Sequence, residues 1–152
     1  MNFSQKSVVF FATGFRIGTV PFAPGTLGTI LGLPLCFFLS KLDLRIAALC
    51  TILLVFFAAW IAHEAEALLN KKDPGCIVID EIAGITVTLL GLPFNLVFGV
   101  AGFCLFRFLD ILKPFPIRYL EKKISGGVGI VLDDVLAGIL SNLILRGISF
   151  FV

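Results

Sequence analysis

Five of the ten acidic residues of this sequence lie within or beside strongly apolar segments. They are Asp80, Glu81, Asp110, Asp133 and Asp134. Carboxylates in such surroundings are costly to bury and usually face a polar cavity or an ionic partner. Several of them stay ionised together only beside a cation, and oxygen ligands without Cys or His favour Mg²⁺, with Mn²⁺ second. The five acids therefore predict a metal site, although each one alone would more simply be a helix-terminus or ion-pair residue.

Basic residues beside these acids are candidate contacts to a phosphate group. Arg107 and Asp110 are three residues apart, which puts both on one face of a helix. Residues 24–26 form a turn that opens a helix, and the free backbone N–H groups of a helix start suit an anion. The candidate phosphate contacts are Arg16, Gly25, Thr26, Arg107, Lys113 and Arg118. With the acids they predict metal-assisted phosphate chemistry, in which either an activated water or an aspartate attacks phosphorus.

Several other chemistries are excluded by what the sequence lacks. Its single histidine, His63, lies in the string H-E-A-E, which does not match the H-E-x-x-H zinc motif. The phosphate-binding pattern G-x-x-x-x-G-K-[ST] is absent, and none of the four cysteines begins a C-x₅-R motif. A net charge of +2, without basic runs interleaved with aromatics, argues against nucleic acid as a partner.

The composition places the chain at a membrane. Of its 152 residues, 59% are hydrophobic and 14% charged, and the mean hydropathy is +1.08. Soluble domains carry roughly 25% charged residues, so the deficit of charge indicates a bilayer as partner. The length fits a single domain over residues 1–152.

The apolar segments between Gly- and Pro-rich breaks predict helices. They cover residues 7–12, 24–39, 44–62, 76–91, 94–112 and 128–146. Residues 44–62 meet the requirement of about 20 apolar residues for a membrane span. The basic stretch 113–123 is expected at the water boundary. Because backbone in lipid must satisfy its own hydrogen bonds, the predicted fold is all-α, a compact bundle embedded in or at the membrane. It should have about four to six helices, some of them short or re-entrant.

Small residues predict how two of these helices pack. In the 76–91 helix Gly84 and Thr88 follow the acids at helical spacing, and in the 128–146 helix Gly138 and Ser141 do the same. If these faces meet, the acids of both helices meet at one end, with one acid of each adjacent pair directed into the site. The glycine-rich stretch 125–129 is either a flexible lid or a tight connection.

Four blocks of the sequence carry a resemblance to a known family. They are G-T-x-P-x-x-P-G-T-x-G at 18–28, D-P-G-x-I-V-I-D-E-x-x-G at 73–84, R-F-x-D-I-x-K-P-x-P-I at 107–117 and G-G-x-G-I-x-x-D-D-x-x-A-G at 126–138. In this order and at these spacings they resemble the bacterial phosphatidylglycerophosphatase A family, across nearly the whole chain from Gly14 to Ser141.

The resemblance implies a function and a set of residues. It implies Mg²⁺-dependent removal of the terminal phosphate from phosphatidylglycerophosphate, giving phosphatidylglycerol and inorganic phosphate. An anionic phospholipid is then the substrate, and the bacterial cytoplasmic membrane the location. Carried over by motif, the functional positions are Asp80, Glu81, Asp110, Asp133, Asp134, Arg107 and Lys113.

Other readings of the same residues stay open at this stage. A small transporter or ion-binding channel would use the acids for a coupling cation, and a structural membrane subunit would tolerate their loss. Residues 107–123 hold five bases against two acids, which predicts that this face, in a multi-pass protein, lies in the cytoplasm. The sequence does not choose between Asp133 and Asp134 as ligands, or between a monomer and a homo-oligomer.

Overall fold

A computed structural model of the protein describes residues 2–149, apart from the side chain of Glu121. These residues form seven α-helices and one 3₁₀ turn, Ile17–Thr19, with no strand among them. The helices are α1 Phe3–Ala12, α2 Pro24–Leu39, α3 Leu44–Leu69, α4 Ile79–Leu89, α5 Leu96–Leu112, α6 Ile117–Lys123 and α7 Gly126–Ser149. The all-α class expected from the sequence is thereby confirmed.

Several helices differ in extent from the sequence expectation: α1 begins four residues earlier, α5 begins two residues later, and α7 extends beyond residues 128–146 at both ends. α3 continues well past Ala62 and ends where Asn70 takes a left-handed backbone conformation, with φ 49°. α4 begins three residues later than expected, because the backbone N–H of Val78 donates to the carbonyl oxygen of Ala12 at the end of α1 (2.9 Å). The basic stretch 113–123 contains α6, one helix more than the four to six expected.

The central pair of helices, α4 and α7, packs through small residues. A Cβ added at Gly138 would lie 2.6 Å from the carbonyl oxygen of Gly84, so the two backbones nearly touch. Further along, the Asn142 side chain donates to the carbonyl oxygens of Thr88 (2.8 Å) and Leu90 (3.0 Å) at the end of α4. Small residues permit this approach. The two predicted small-residue faces do meet.

The glycine-rich start of α7 is a tight connection and not a lid. Residues 126–129 form the first turn of α7. A Cβ at Gly127 would collide with the carbonyl oxygen of Ala59 and the backbone nitrogen of His63, both on α3. The glycine therefore lets α7 approach the backbone of α3 at this end of the bundle.

In the part of the chain that the structure describes, two helices, α3 and α7, are long and apolar enough to cross a membrane. In the most apolar stretch of α3, 22% of the residues are buried within the protein, and in that of α7, 50% are buried. α3 thus turns large apolar side chains such as Leu53 and Phe56 outward, whereas α7 also serves as the core of the bundle. These features suggest association with a membrane.

Candidate active site

Several helix termini meet at one end of the bundle, which we call the site end. The starts of α2 and α4, the end of α5 and the N-terminal half of α7 converge there. α4 supplies Asp80 and Glu81, α5 supplies Asp110, and α7 supplies Asp133 and Asp134. The five acids predicted to bind metal therefore come from three helices that are far apart in sequence.

The carboxylates of these acids gather in two overlapping groups, which together we call the carboxylate cluster. One oxygen each from Asp80, Glu81 and Asp134 lie within 4.8 Å of one another. The same holds for one oxygen each from Asp110, Asp133 and Asp134. Asp134 belongs to both groups, so it joins the acids of α4 to that of α5.

Both acids of each adjacent pair take part in the cluster, which differs from the expectation of one acid per pair. Successive helical side chains point about 100° apart, so a single flat interface would receive only one of them. The cluster instead lies between three helices. Asp134 meets the acids of α4, while Asp133 meets Asp110 and also Lys113, which directly follows α5.

Within the described part of the chain, three carboxylate oxygens of the cluster are buried without a hydrogen-bond partner. They are Asp80 Oδ1, Glu81 Oε2 and Asp134 Oδ2, and their residues form the first of the two groups. Buried charges are normally paired or coordinate a metal, because an unpaired one is costly. Closely spaced carboxylate oxygens are also the donors that Mg²⁺ prefers. The residues present therefore fit a divalent cation.

The close packing of buried carboxylates also raises the pKa values of the two acids on α4. Burial raises the pKa of Asp80 well above its usual range, and the negative charges of Glu81 and Asp133 raise it further. Burial also raises the pKa of Glu81, although its interaction with the neighbouring Asp80 carboxyl and the charge of Arg107 partly offset that rise. A cation placed among them would favour the ionised forms.

Arg107, a predicted phosphate contact, lies at the edge of the carboxylate cluster. Its Nη1 is 2.5 Å from Asp110 Oδ2 and 3.9 Å from Glu81 Oε1. Its Nε is buried and has no hydrogen-bond partner among the described residues. The guanidinium thus lies beside acids from two helices and retains a donor that neither acid uses.

The start of α2 covers Arg107 and Glu81. A Cβ added at Gly25 would collide with Glu81 Oε1 and would lie 3.1 Å and 3.2 Å from the terminal nitrogens of Arg107. A larger residue here would displace the Glu81 carboxylate, so glycine allows this approach. Ala23 offers no side-chain cap to α2, so the backbone N–H groups of Gly25 and Thr26 remain available to an anion.

Lys113 binds the other side of the cluster. Its Nζ is 2.5 Å from Asp133 Oδ2. Beside Asp133 opens a polar cleft of about 290 Å³, which is also lined by Glu66, Lys72 and Lys122. Of the five acids of the cluster, Asp133 lines this open cleft.

Comparison with known proteins shows which family the chain belongs to. A sequence model of the phosphatidylglycerophosphatase A family matches residues 10–149. The chain belongs to this family. It is 35% identical over 142 residues to phosphatidylglycerophosphatase A of Escherichia coli (strain K12), covering 93% of this chain and 80% of that protein. It is 39% identical over 146 residues to phosphatidylglycerophosphatase A of Haemophilus influenzae, covering 93% and 88%.

A third relative carries a different name. A protein of Bacteroides thetaiotaomicron, named a putative phosphatidylinositol-3-phosphatase, is 38% identical over 145 residues, covering 90% of each chain. No solved structure matches this chain. The phosphatidylglycerophosphatase A family makes the protein a phosphatase that acts on phosphoric monoesters, which decides against the transporter and structural-subunit readings.

Two of the phosphate contacts predicted for this family member lie apart from the carboxylate cluster. Arg16 is exposed in the turn after α1, where its backbone is left-handed with φ 73°. Arg118 is exposed on α6, with its guanidinium 3.5 Å from the carbonyl oxygen of Leu112. No described ion pair joins either arginine to an acid of the cluster. Both remain predictions as outer contacts to a phospholipid headgroup.

Glu66 and Lys72 are neighbours of the site that sequence reasoning did not identify. Glu66 Oε1 accepts the backbone N–H of Asp73 at 3.0 Å, which fixes the start of the second family block against α3. Lys72 immediately precedes that block and lines the polar cleft. In the sequence, the position of Lys72 next to the second family block was the signal that could have placed it near the site. For Glu66 the fold is needed, because it shows that α3 ends beside α7.

Proposed function

We propose that this phosphatase removes the terminal phosphate of phosphatidylglycerophosphate, with Mg²⁺ bound in the carboxylate cluster, to give phosphatidylglycerol and inorganic phosphate. The observation that carries the proposal is the group of Asp80, Glu81 and Asp134. Its three buried oxygens lack a hydrogen-bond partner, while Arg107 lies beside them. Family membership supports the choice of substrate.

Asp80, Glu81 and Asp134 would hold the cation, and Asp110 and Asp133 with Asp134 offer a second position. When bound, Mg²⁺ supplies a Lewis acid that neutralises the phosphomonoester and makes water a better nucleophile. The protein contributes fixed oxygens. The close contact of α4 with α7 holds these carboxylates together before any ligand arrives.

Arg107 is the proposed principal contact to the phosphoryl oxygens. A guanidinium presents several donors in a plane that matches a phosphate, and Asp110 fixes its orientation through Nη1. The start of α2 lies against Arg107, so the backbone N–H groups of Gly25 and Thr26 would add donors without a charged side chain. Donors positioned in advance stabilise charge that develops on the phosphoryl oxygens.

Lys113 is the proposed second cationic contact. It is bound to Asp133, so its ammonium is held beside the cluster rather than free to follow solvent. Arg16 and Arg118 would contact the rest of the anionic headgroup from outside the cluster. In this arrangement the charge of the substrate meets bases on both sides of the carboxylates.

The proposed location is the bacterial cytoplasmic membrane, with α3 and α7 as spans and the site end facing the cytoplasm. The length and apolar composition of both helices support this multi-pass arrangement. The basic residues 107–123 at the site end support its orientation. The substrate would then be drawn from the lipid layer that borders the site.

The first test measures phosphate release from phosphatidylglycerophosphate in detergent micelles. We expect release with Mg²⁺, none with EDTA, and a loss of at least about a hundredfold in Asp134→Asn, because Asp134 belongs to both carboxylate groups. A matched control is Asp43→Asn at the start of α3, far from the cluster, which should retain full activity. Release that persists in EDTA would contradict the metal proposal.

A second candidate substrate is phosphatidylinositol 3-phosphate, because of the name of the Bacteroides relative. It is also a phosphomonoester on a phospholipid, but its phosphate is attached to a bulky ring. Assaying both lipids in parallel, at equal surface concentration, separates the two. Higher kcat/KM for the inositol lipid would replace the proposed substrate and leave the carboxylate site unchanged.

A further inference from the structure

An apolar groove of about 470 Å³ runs along the outside of the bundle between α2 and α5. We call it the α2–α5 groove. Its volume falls in the range of about 300–1,000 Å³ typical of small-molecule sites. The residues along its length are Ile30, Leu33 and Phe37 from α2, and Gly99, Val100 and Phe103 from α5.

Two contacts show how this groove is oriented relative to the site. Gly25, at the start of α2, lies against Arg107, near the end of α5. At the other end the rings of Phe37 and Phe94 meet edge to face, with centroids 5.6 Å apart. The two helices are therefore antiparallel, and the groove extends from the site end towards the far end of the bundle.

The near end of the groove begins within two helical turns of the proposed phosphate contacts. Ile30 is five residues beyond Gly25 and Phe103 is four residues before Arg107. At about 1.5 Å per residue these offsets correspond to roughly 8 Å and 6 Å along the helices. A molecule with its phosphate at Arg107 thus has the groove within reach of its apolar part.

Gly99 gives the groove its open floor. A Cβ built at Gly99 has no neighbouring atom within 4 Å. One turn later, a Cβ at Gly102 would lie 2.6 Å from Leu89, so that glycine serves close packing instead. Beside Gly99, Val100 and Ile30 are 54% and 47% exposed, which leaves apolar surface uncovered.

We propose that the α2–α5 groove binds an acyl chain of the lipid substrate, an inference that rests on the proposed phospholipid phosphatase function. The substrate joins a doubly charged phosphate to long alkyl chains. The two helices present a phosphate-binding end followed by an apolar surface, in the same order. Their shared site end carries Arg107 and the start of α2, and their apolar walls lead away from it. The groove therefore determines the acyl-chain preference of the enzyme.

The test fills the groove without disturbing the site. Gly99→Leu adds a side chain into open space, and Gly147→Leu is its control, because a Cβ at Gly147, also within a helix, has no neighbour within 4 Å. Both variants and wild type are assayed in one detergent on dipalmitoyl and dihexanoyl phosphatidylglycerophosphate. We expect Gly99→Leu to lower kcat/KM about tenfold for the long-chain lipid, which corresponds to lost burial of about two methylenes.

The short-chain lipid and the Gly147→Leu variant serve as controls in that assay. Activity of Gly99→Leu on the dihexanoyl lipid, and of Gly147→Leu on both lipids, should stay within about twofold of wild type. Equal loss on both lipids, with a change in the mass of the detergent-solubilised particle, would show that the groove is an interface between copies and overturn the proposal. Unchanged activity on both lipids would also overturn it.

Photolabelling tests the groove independently of turnover and of the variants. Wild-type protein in vesicles is irradiated with a phosphatidylglycerophosphate that carries a diazirine near the end of one acyl chain. We expect labelled residues in α2 and α5, and excess unlabelled long-chain lipid should suppress that labelling. Labelling of the outward face of α3, around Leu53 and Phe56, reports bulk lipid and should not be suppressed.

The two experiments separate the two proposals. If wild type hydrolyses neither lipid, the proposed substrate fails, while saturable labelling would still support a lipid chain in the groove. If wild type is active but labelling of α2 and α5 is no more suppressible than that of α3, the groove proposal fails and the phosphatase function stands.

Discussion

Arg107 connects two parts of the site that come from different helices. It binds Asp110 on its own helix and approaches Glu81 on α4, and it lies beneath Gly25 at the start of α2. A lysine in its place would keep the positive charge but lose the planar set of donors. The geometry of the donors, and not only their charge, therefore distinguishes the two residues.

We expect Arg107→Lys to lower kcat by about a hundredfold, the usual cost of one donor to a charged transition state. Phosphate release under saturating Mg²⁺ is the measurement. Arg45→Lys, at the opposite end of the bundle, is the matched control and should retain full activity. If Arg107→Lys raised KM without lowering kcat, Arg107 would contribute to binding of the substrate and not to stabilising the transition state.

That the five acids lie close together was predictable at the residue scale, because carboxylates in apolar helices require a partner. Their individual geometry was not. Sequence periodicity treats each helix as having one buried face, so it assigns one acid of a pair to that face. The structure gives Asp133 and Asp134 partners on different helices, and this depends on how three helices are arranged in space.

At the scale of elements, the contact between α4 and α7 holds the acids of both helices in place. A Cβ at Gly138 would lie 2.6 Å from the Gly84 carbonyl oxygen and 3.1 Å from Val87 Cβ. We expect Gly138→Ala to destabilise the protein, because overpacking costs about 1–3 kcal/mol. It should also lower activity, since α4 carries Asp80 away from Asp134 when the helices separate.

The control for this change lies on the same helix. Gly147→Ala adds the same methyl group where no atom lies within 4 Å, so only the higher helix propensity of alanine acts, a gain of up to about 1 kcal/mol. Thermal unfolding in one detergent compares the two variants. Equal melting temperatures would show that the α4–α7 contact is not tight.

The sequence predicted most of the helices, but it predicted the residues at which they begin and end less well. The start of α4 depends on a hydrogen bond from Val78 to Ala12, between residues far apart in the chain. The start of α7 packs against the backbone of α3, and this close approach is possible because residue 127 is a glycine. A local pattern contains neither contact. For the same reason, sequence left the glycine-rich stretch undecided between a lid and a connection.

At the scale of the whole molecule, basic residues are unevenly distributed between the two ends of the bundle. Eight of the twelve lysines and arginines lie at the site end. They are Arg16, Lys71, Lys72, Arg107, Lys113, Arg118, Lys122 and Lys123. Positive residues near the ends of spans remain in the cytoplasm, so this distribution predicts the orientation of the whole protein.

Two serines at opposite ends of the bundle allow this orientation to be measured. Ser125 is exposed before α7 at the site end, and Ser40 is exposed after α2 at the far end. In an active variant whose four cysteines are replaced by alanine, Ser40→Cys should react with a membrane-impermeant maleimide in intact spheroplasts. Ser125→Cys should react only after the membrane is permeabilised. The reverse pattern would place the site end outside the cytoplasm. Reaction of both cysteines in intact spheroplasts would contradict the proposal that the bundle spans the membrane with its two ends on opposite sides.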